Sequence, residues 1–260
     1  MMPAKQGRWG DLRPRAISAV VMIAVAALAI WAGGGIFALV IAACCGGMFW
    51  ELTQMLAPRR EELSLSLAAL GGVVVLLSVL LPAPLGLLLL ALPVVLGWKL
   101  VPPTAQLRFA LFAAWIVLAG FSFIWMRSQL GSDWLLWLVS IVVVTDVAGY
   151  FAGKIIGGPK FWPRISPKKT WSGTSAGWVA SALVGLWFAS VLDQGAGIIL
   201  ASVLISMASQ AGDVAESALK RQTGVKDSSA LIPGHGGLFD RFDGMLGAAA
   251  MFLLLFVFLG

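Results

Sequence analysis

From Ala16 to Trp50 the chain carries no charged side chain. As one helix this stretch would be about 50 Å long at 1.5 Å per residue, too long for a hydrocarbon core of about 30 Å. Gly33-Gly34-Gly35 lies in its middle and supplies a break, so the run reads as two helices, near 16–32 and 35–55. The same logic divides the uncharged run from Leu63 to Trp98 at Pro82-Ala83-Pro84, giving helices near 64–81 and 84–99. Further spans are expected near 107–126, 133–152, 173–192, 196–220 and 244–260. The chain is 60% hydrophobic and 12% charged, whereas a soluble domain is about half apolar and a quarter charged. The expected fold class is all-α: a polytopic integral membrane helix bundle of about nine transmembrane helices.

Nine spans put the two termini on opposite sides. With the N-terminus cytoplasmic, 17 of the 18 Lys and Arg residues fall on inside segments and only Arg127 lies outside. Lys5 and Arg8 belong to this count, as do the loop cations discussed below. The outside turns, 33–35, 82–84, 128–132 and 194–197, are short and bland. The chemistry is therefore expected on the cytoplasmic face.

No cleavable secretory signal is evident, because the first apolar run lacks a small-residue cleavage site and apolar runs continue to the end. The net charge of +6 suits loops that face anionic lipid and a nucleotide, and no nucleic acid is expected as a partner. Cys44 and Cys45 are adjacent within an apolar run, with neither metal-ligand spacing nor a disulfide framework. Residues 1–130 read as N-terminal scaffold helices with no polar group deep in a span that looks functional. Residues 131–260 read as the catalytic transmembrane region.

Asp213, Glu216, Ser217 and Lys220 fall at i, i+3, i+4 and i+7 and share one helix face near its inner end. Intramembrane carboxylates are expensive and mark function by default. The alternative is an ion pair with Lys220 that only locks helices together. Asp240 and Asp243 form a second acidic pair, just before the last expected span, where a solvated helix start is the alternative. Gly234, Gly236 and Gly237 precede them and would let backbone N–H groups approach a phosphate. Carboxylates from two helix ends suit Mg2+, which takes one or two of them and completes its octahedron with phosphate and water.

Asp146 is a third polar intrusion into a span. Gly149 and Gly153 beside it are four apart, a spacing that favours close helix packing. The cytoplasmic segment 157–174 is basic with interleaved aromatics. It places Lys168, Lys169 and Thr170 immediately before a helix whose free N–H groups favour an anion; attraction to lipid headgroups is the alternative. His235, the sole histidine, reads as a base, a phosphate donor or a structural hydrogen bonder.

Ser217-x-x-Lys220-Arg221, Lys226-Asp227, Pro233-Gly-His-Gly-Gly237 and Asp240-Arg-x-Asp243 together resemble the signature of phosphatidate cytidylyltransferases, the CDP-diacylglycerol synthases. Ser166-Pro-Lys-Lys-Thr170 and Asp146-x-x-Gly-Tyr-x-x-Gly153 extend the resemblance over roughly residues 140–244. Three positions depart from it. Ser172 stands where an acid usually follows Lys-Lys-Thr, Ser229 where a glycine follows Lys-Asp-Ser, and Gly244 where a serine follows the last aspartate.

The resemblance implies that CTP and phosphatidic acid yield CDP-diacylglycerol and pyrophosphate, by metal-assisted in-line attack. Asp213, Asp240 and Asp243 are the implied ligands of Mg2+, with Asp146 near them and an additional monovalent or second divalent cation as a variant. Asp213, Asp240, Asp243, Lys220 and His235 form the implied catalytic group. Lys168, Lys169, Thr170, Ser217, Arg221, Lys226, Asp227, Gly236, Gly237, Arg241 and Asp146 are the implied substrate-binding set. The expected setting is the bacterial cytoplasmic membrane, among membrane lipids. The N-terminal spans either form a homodimer surface or only widen the lipid-facing scaffold. A CTP-dependent lipid kinase, a CDP-alcohol phosphotransferase and a cation transporter are the competing readings; the motif of the second and the repeats of the third are not evident in the chain.

Overall fold

The computed structural model describes residues 12–259, so Lys5, Arg8 and Gly260 lie outside the described residues. Nine α-helices occupy most of them: α1 Leu12–Ala32, α2 Gly34–Leu56, α3 Glu61–Ser78, α4 Ala83–Leu100, α5 Gln106–Gln129, α6 Ser132–Ile155, α7 Trp171–Val191, α8 Gly197–Thr223 and α9 Phe239–Leu259. Seven helices are long and apolar enough to cross a membrane, and α4 is a shorter apolar helix. The protein is thus a polytopic helical membrane protein. Large apolar side chains such as Val20, Ile23, Trp31, Leu88 and Leu107 stay exposed on the outside of the bundle, as expected where lipid is the solvent.

Two of the breaks are glycine turns. Gly33 takes φ 60° between α1 and α2, and Gly131 takes φ 95° between α5 and α6, conformations that cost a side-chain-bearing residue more. Arg127 Nε donates to the Ile30 carbonyl at 3.2 Å. The one cation expected outside therefore satisfies the C-terminal end of α1, where positive charge is favoured.

The helices pair through small residues. A Cβ on Gly46 would come within 2.9 Å of the Ala68 carbonyl, and one on Gly72 within 2.8 Å of the Ala42 carbonyl, so α2 and α3 touch nearly backbone to backbone. Gly149 and Gly173 do the same for α6 and α7. The core behind these seams is apolar and aromatic: Phe49 meets Phe109 edge-on at 6.3 Å, and Phe112 meets Phe239 at 5.8 Å. Buried polar atoms cross between helices in pairs, Trp137 Nε1 to Ser202 Oγ at 2.9 Å and Thr145 Oγ1 with Ser206 Oγ at 2.7 Å.

Two elements differ from the sequence expectation. The basic segment before α7 is a short antiparallel hairpin, β1 Lys160–Trp162 with β2 Ser166–Thr170, which pairs Lys160 with Thr170 and Trp162 with Ser166. The last helix begins at Phe239 rather than Gly244, so Asp240 and Asp243 lie inside its first turns. The reason is a carboxylate from another helix, described next.

Candidate active site

Strand β2 delivers Lys168 and Lys169 to the junction of α6, α7 and α8. Thr170 closes the strand and caps α7: its Oγ1 accepts the Gly173 N–H at 3.2 Å. A cleft of about 330 Å3 opens there, lined by Asp146, Lys154, Lys168, Lys169, Thr170 and Gln210, among others. Its wall is low because Gly149, Gly153 and Gly173 carry no side chains. The packing role expected for Gly149 and Gly153 and the opening of the cleft are one feature.

Lys169 Nζ lies 2.5 Å from Asp213 Oδ2 and 3.4 Å from the Gln210 carbonyl. Ser217 Oγ donates to Asp213 Oδ1 at 3.3 Å, one turn along α8. Asp213 keeps about a third of its side chain exposed (34%). Asp243 accepts the Gly244 N–H through Oδ1 at 2.7 Å, and it lies within electrostatic reach of both Asp213 and Asp146. Asp146 is exposed in the cleft. Asp146, Asp213, Asp243, Lys168 and Lys169 thus gather at one place.

Asp240 belongs to a different cluster. Its Oδ1 accepts from Lys220 Nζ at 2.5 Å. Its Oδ2 accepts the Ser228 N–H, the Ser228 hydroxyl and the Gly237 N–H, each at 2.8 Å. Lys220 also meets Glu216 Oε2 at 2.7 Å. The Asp240 side chain is only 4% exposed. Both oxygens are therefore engaged by donors of the protein, and in this arrangement Asp240 ties Lys220 of α8 to the loop 224–238 rather than standing open to a metal. Lys220, paired with Glu216 on its own helix and with Asp240 on α9, forms the helix-locking ion pair that the sequence left open as the alternative.

Gly236 and Gly237 pack against this anchor. A Cβ on Gly236 would press on Asp240 Oδ2, and one on Gly237 on Ser228 Oγ and Glu51 Oε1. The glycines make room for two carboxylates of the protein, and the Gly237 N–H is spent on Asp240 rather than on a phosphate.

The expected substrate-binding set is dispersed. Arg241 Nε donates to the His235 carbonyl at 2.9 Å, and the His235 N–H donates to the Ile232 carbonyl at 2.9 Å. The imidazole Nδ1 is buried without a partner among the described residues. Among the described residues no acid is hydrogen-bonded to His235, the arrangement that would orient a general base. Arg221, Lys226 and Asp227 are exposed around the C-terminal end of α8, where Gly224 stops the helix at φ 74°.

Glu51 was missed. It lies in α2, fully buried at 0% exposure. Its Oε1 accepts from Ser229 Oγ at 2.6 Å and from the Leu238 N–H at 2.9 Å; its Oε2 accepts the Phe239 N–H at 2.7 Å. A carboxylate is thus seated on the first free N–H groups of α9, where negative charge is favoured, and α9 starts early for that reason. The signal was present: the helical pattern runs on to Leu56, which places Glu51 inside the span rather than at its edge.

The three departures also have local partners. Ser229 donates to Glu51. Ser172 Oγ donates to the Gly157 carbonyl at 2.5 Å and lies 3.0 Å from Thr170 Oγ1, closing the base of the hairpin. At Gly244 a Cβ would lie 2.8 Å from Ser209 Oγ, where α8 and α9 pack closely.

Among the described residues, no three His, Cys, Asp or Glu side chains form a metal-binding group by themselves. A magnesium ion does not need three, since phosphate and water supply most of its ligands. Asp213, 34% exposed at the edge of the cleft, and Asp146, exposed within it, are carboxylates open to such an ion, whereas both oxygens of Asp240 are taken by protein donors.

The cytidylyltransferase family model matches residues 13–259. A phosphatidate cytidylyltransferase from Brucella suis biovar 1 (strain 1330) is 36% identical over 258 residues, covering 94% of this chain and 93% of its own length. One from Brucella abortus biovar 1 (strain 9-941) is 35% identical over the same shares. One from Staphylococcus epidermidis (strain ATCC 12228 / FDA PCI 1200) is 38% identical over 141 residues, 53% of this chain and 54% of its own.

Proposed function

Because this chain belongs to the cytidylyltransferase family, we propose that it joins phosphatidic acid to CTP, forming CDP-diacylglycerol and pyrophosphate. The observation that carries this reading is the cleft in which Asp146, Lys168 and Lys169 meet, with Asp213 held to Lys169 at its edge. Cations and carboxylates share an opening between helices of a membrane protein, as a charged nucleotide and a lipid phosphate together require.

The lipid phosphate is already a nucleophile, so no covalent intermediate with the protein is needed. One of its oxygens attacks the α-phosphorus of CTP; the bond from that phosphorus to the bridging oxygen breaks, and pyrophosphate leaves with the electron pair. Such a transfer depends on positioning and charge neutralisation. Lys168 and Lys169 neutralise the phosphates, and Lys154 adds a third cation to the same cleft. Asp213, with Asp243 and Asp146 nearby, would hold Mg2+, which would supply charge stabilisation of the phosphoryl oxygens. Asp240 acts at a distance, by fixing Lys220 and the loop 224–238.

The working site is the bacterial cytoplasmic membrane with the cleft on its cytoplasmic side, consistent with bacterial relatives and the distribution of lysine and arginine. The apolar outer face of α1 supplies a surface for lipid or for a second copy in a homodimer. The purified protein, given CTP, phosphatidic acid and Mg2+, should release one pyrophosphate for each CDP-diacylglycerol formed, and chelation of the metal should stop both. Loss of CTP without a cytidylylated lipid would reject the reading.

A further inference from the structure

Glu51 is a buried acid that the reaction above does not use. It is 0% exposed, lies in α2, and reaches the far end of the chain, where three donors of the segment 229–239 converge on it. The seat is built for it. Gly47, one turn earlier on α2, has no side chain, and a Cβ there would strike Leu238. Gly237 is bare for the same reason, with Glu51 Oε1 in the space. A fully buried carboxylate is costly unless paired or hydrogen-bonded. Here it accepts two N–H groups that no helical partner satisfies, at the positive end of the α9 dipole.

What Glu51 holds matters more than that it is held. Phe239 is followed by Asp240, which fixes Lys220, and one turn further by Asp243, whose carbonyl a Cβ on Gly212, the chain neighbour of Asp213, would strike. The start of α9 sets where both acids stand. Ser229, one of the residues that departs from the family pattern, adds a hydroxyl to the same carboxylate at 2.6 Å.

We infer that Glu51 is a positioning residue for the reaction: from the N-terminal half of the chain, and together with Ser229, it fixes the first turn of α9 and so places Asp243 beside Asp213. This rests on the cytidylyl-transfer reading for its kinetic consequences, but not for its structural ones.

The test uses the full-length purified protein as Glu51→Gln, Glu51→Asp, Ser229→Gly and the Glu51→Gln/Ser229→Gly double variant. Glu51→Gln keeps the shape and removes one acceptor and the charge. It should lower kcat by about tenfold or more, the scale of a lost charge-assisted hydrogen bond, with KM for CTP within about twofold. Glu51→Asp should recover part of the loss. Ser229→Gly should cost less, and the double variant should lose less than the product of the two, because both changes act on one contact. Wild-type kcat in Glu51→Gln, a rise in KM at constant kcat, or independent effects in the double variant would each overturn the proposal. Amide exchange of residues 226–243 is the arm that does not depend on turnover. Glu51→Gln should accelerate it, and unchanged exchange overturns the proposal whichever reaction the wild-type protein performs.

Discussion

Lys169 Nζ and Asp213 Oδ2 meet at 2.5 Å across the junction of strand β2 and helix α8. The pair joins the basic hairpin to the acidic helix at the edge of the cleft. On the proposed function, a substrate phosphate and a metal ion would compete for these two groups, and the contact would be a resting pair that ligands exchange. Asp213→Asn should lower turnover by about a hundredfold or more, each tenfold being about 1.36 kcal/mol of barrier. Lys169→Ala should do the same, and the double variant should fall little further, since the two groups share one contact. Near-normal turnover of Asp213→Asn, measured with phosphatidic acid and CTP, would remove Asp213 from the site.

Asp240 should behave differently from Asp213. Lys220→Met leaves Asp240 and Glu216 buried without their counter-charge. Breaking one partner of a buried pair costs about 3–5 kcal/mol, and the 15% exposure of Lys220 puts this change toward the lower end. Lys220→Met and Asp240→Asn should therefore lower the thermal midpoint of the solubilised protein along with its activity. Asp213→Asn, at an acid 34% exposed, should lower activity with little change in the midpoint. Equal midpoints for all three variants would contradict the division into a cleft and an anchor.

Gly237→Ala should be among the most damaging single-methyl changes in the loop. The added carbon would strike Ser228 Oγ and Glu51 Oε1, and the neighbours are themselves held by hydrogen bonds, so neither can yield cheaply. A thermal midpoint indistinguishable from wild type would show that the loop has slack that the packing denies.

The sidedness rests on Arg127 and the loop cations. With Arg127 bound to the Ile30 carbonyl, residues 128–132 share the end of the bundle with the turn at Gly33. A cysteine at Ser128 or Gln194 should react with a membrane-impermeant maleimide from outside the cell, and one at Lys226 only after the membrane is opened. The reverse pattern would invert the assignment.

The helices were legible because their signal is local: charge-free apolar runs interrupted by Gly33–Gly35 and Pro82–Pro84 announce themselves residue by residue. The acids of the signature were legible as a group, because polar residue types in a membrane helix are conspicuous. Their division of labour was not. Asp240 and Asp243 look alike in the sequence, and only the fold brings Lys220, Ser228 and Gly237 onto the first of them. Glu51 passed unremarked just beyond the charge-free run that ends at Trp50, because its partners lie 178 to 188 positions away. The start of α9 was misplaced as a consequence, because the carboxylate that permits it comes from α2. The hairpin escaped because its strands have three and five residues, too few to establish a period of two.

The central claim, cytidylyl transfer onto a lipid phosphate, is tested most directly by following two labels. CTP labelled at the α-phosphorus and CTP labelled at the γ-phosphorus are each incubated with the purified protein, phosphatidic acid and Mg2+. The α label should enter the lipid, and the γ label should appear only in pyrophosphate. A γ label in the lipid, with CDP released, would contradict the account and make the protein a lipid kinase.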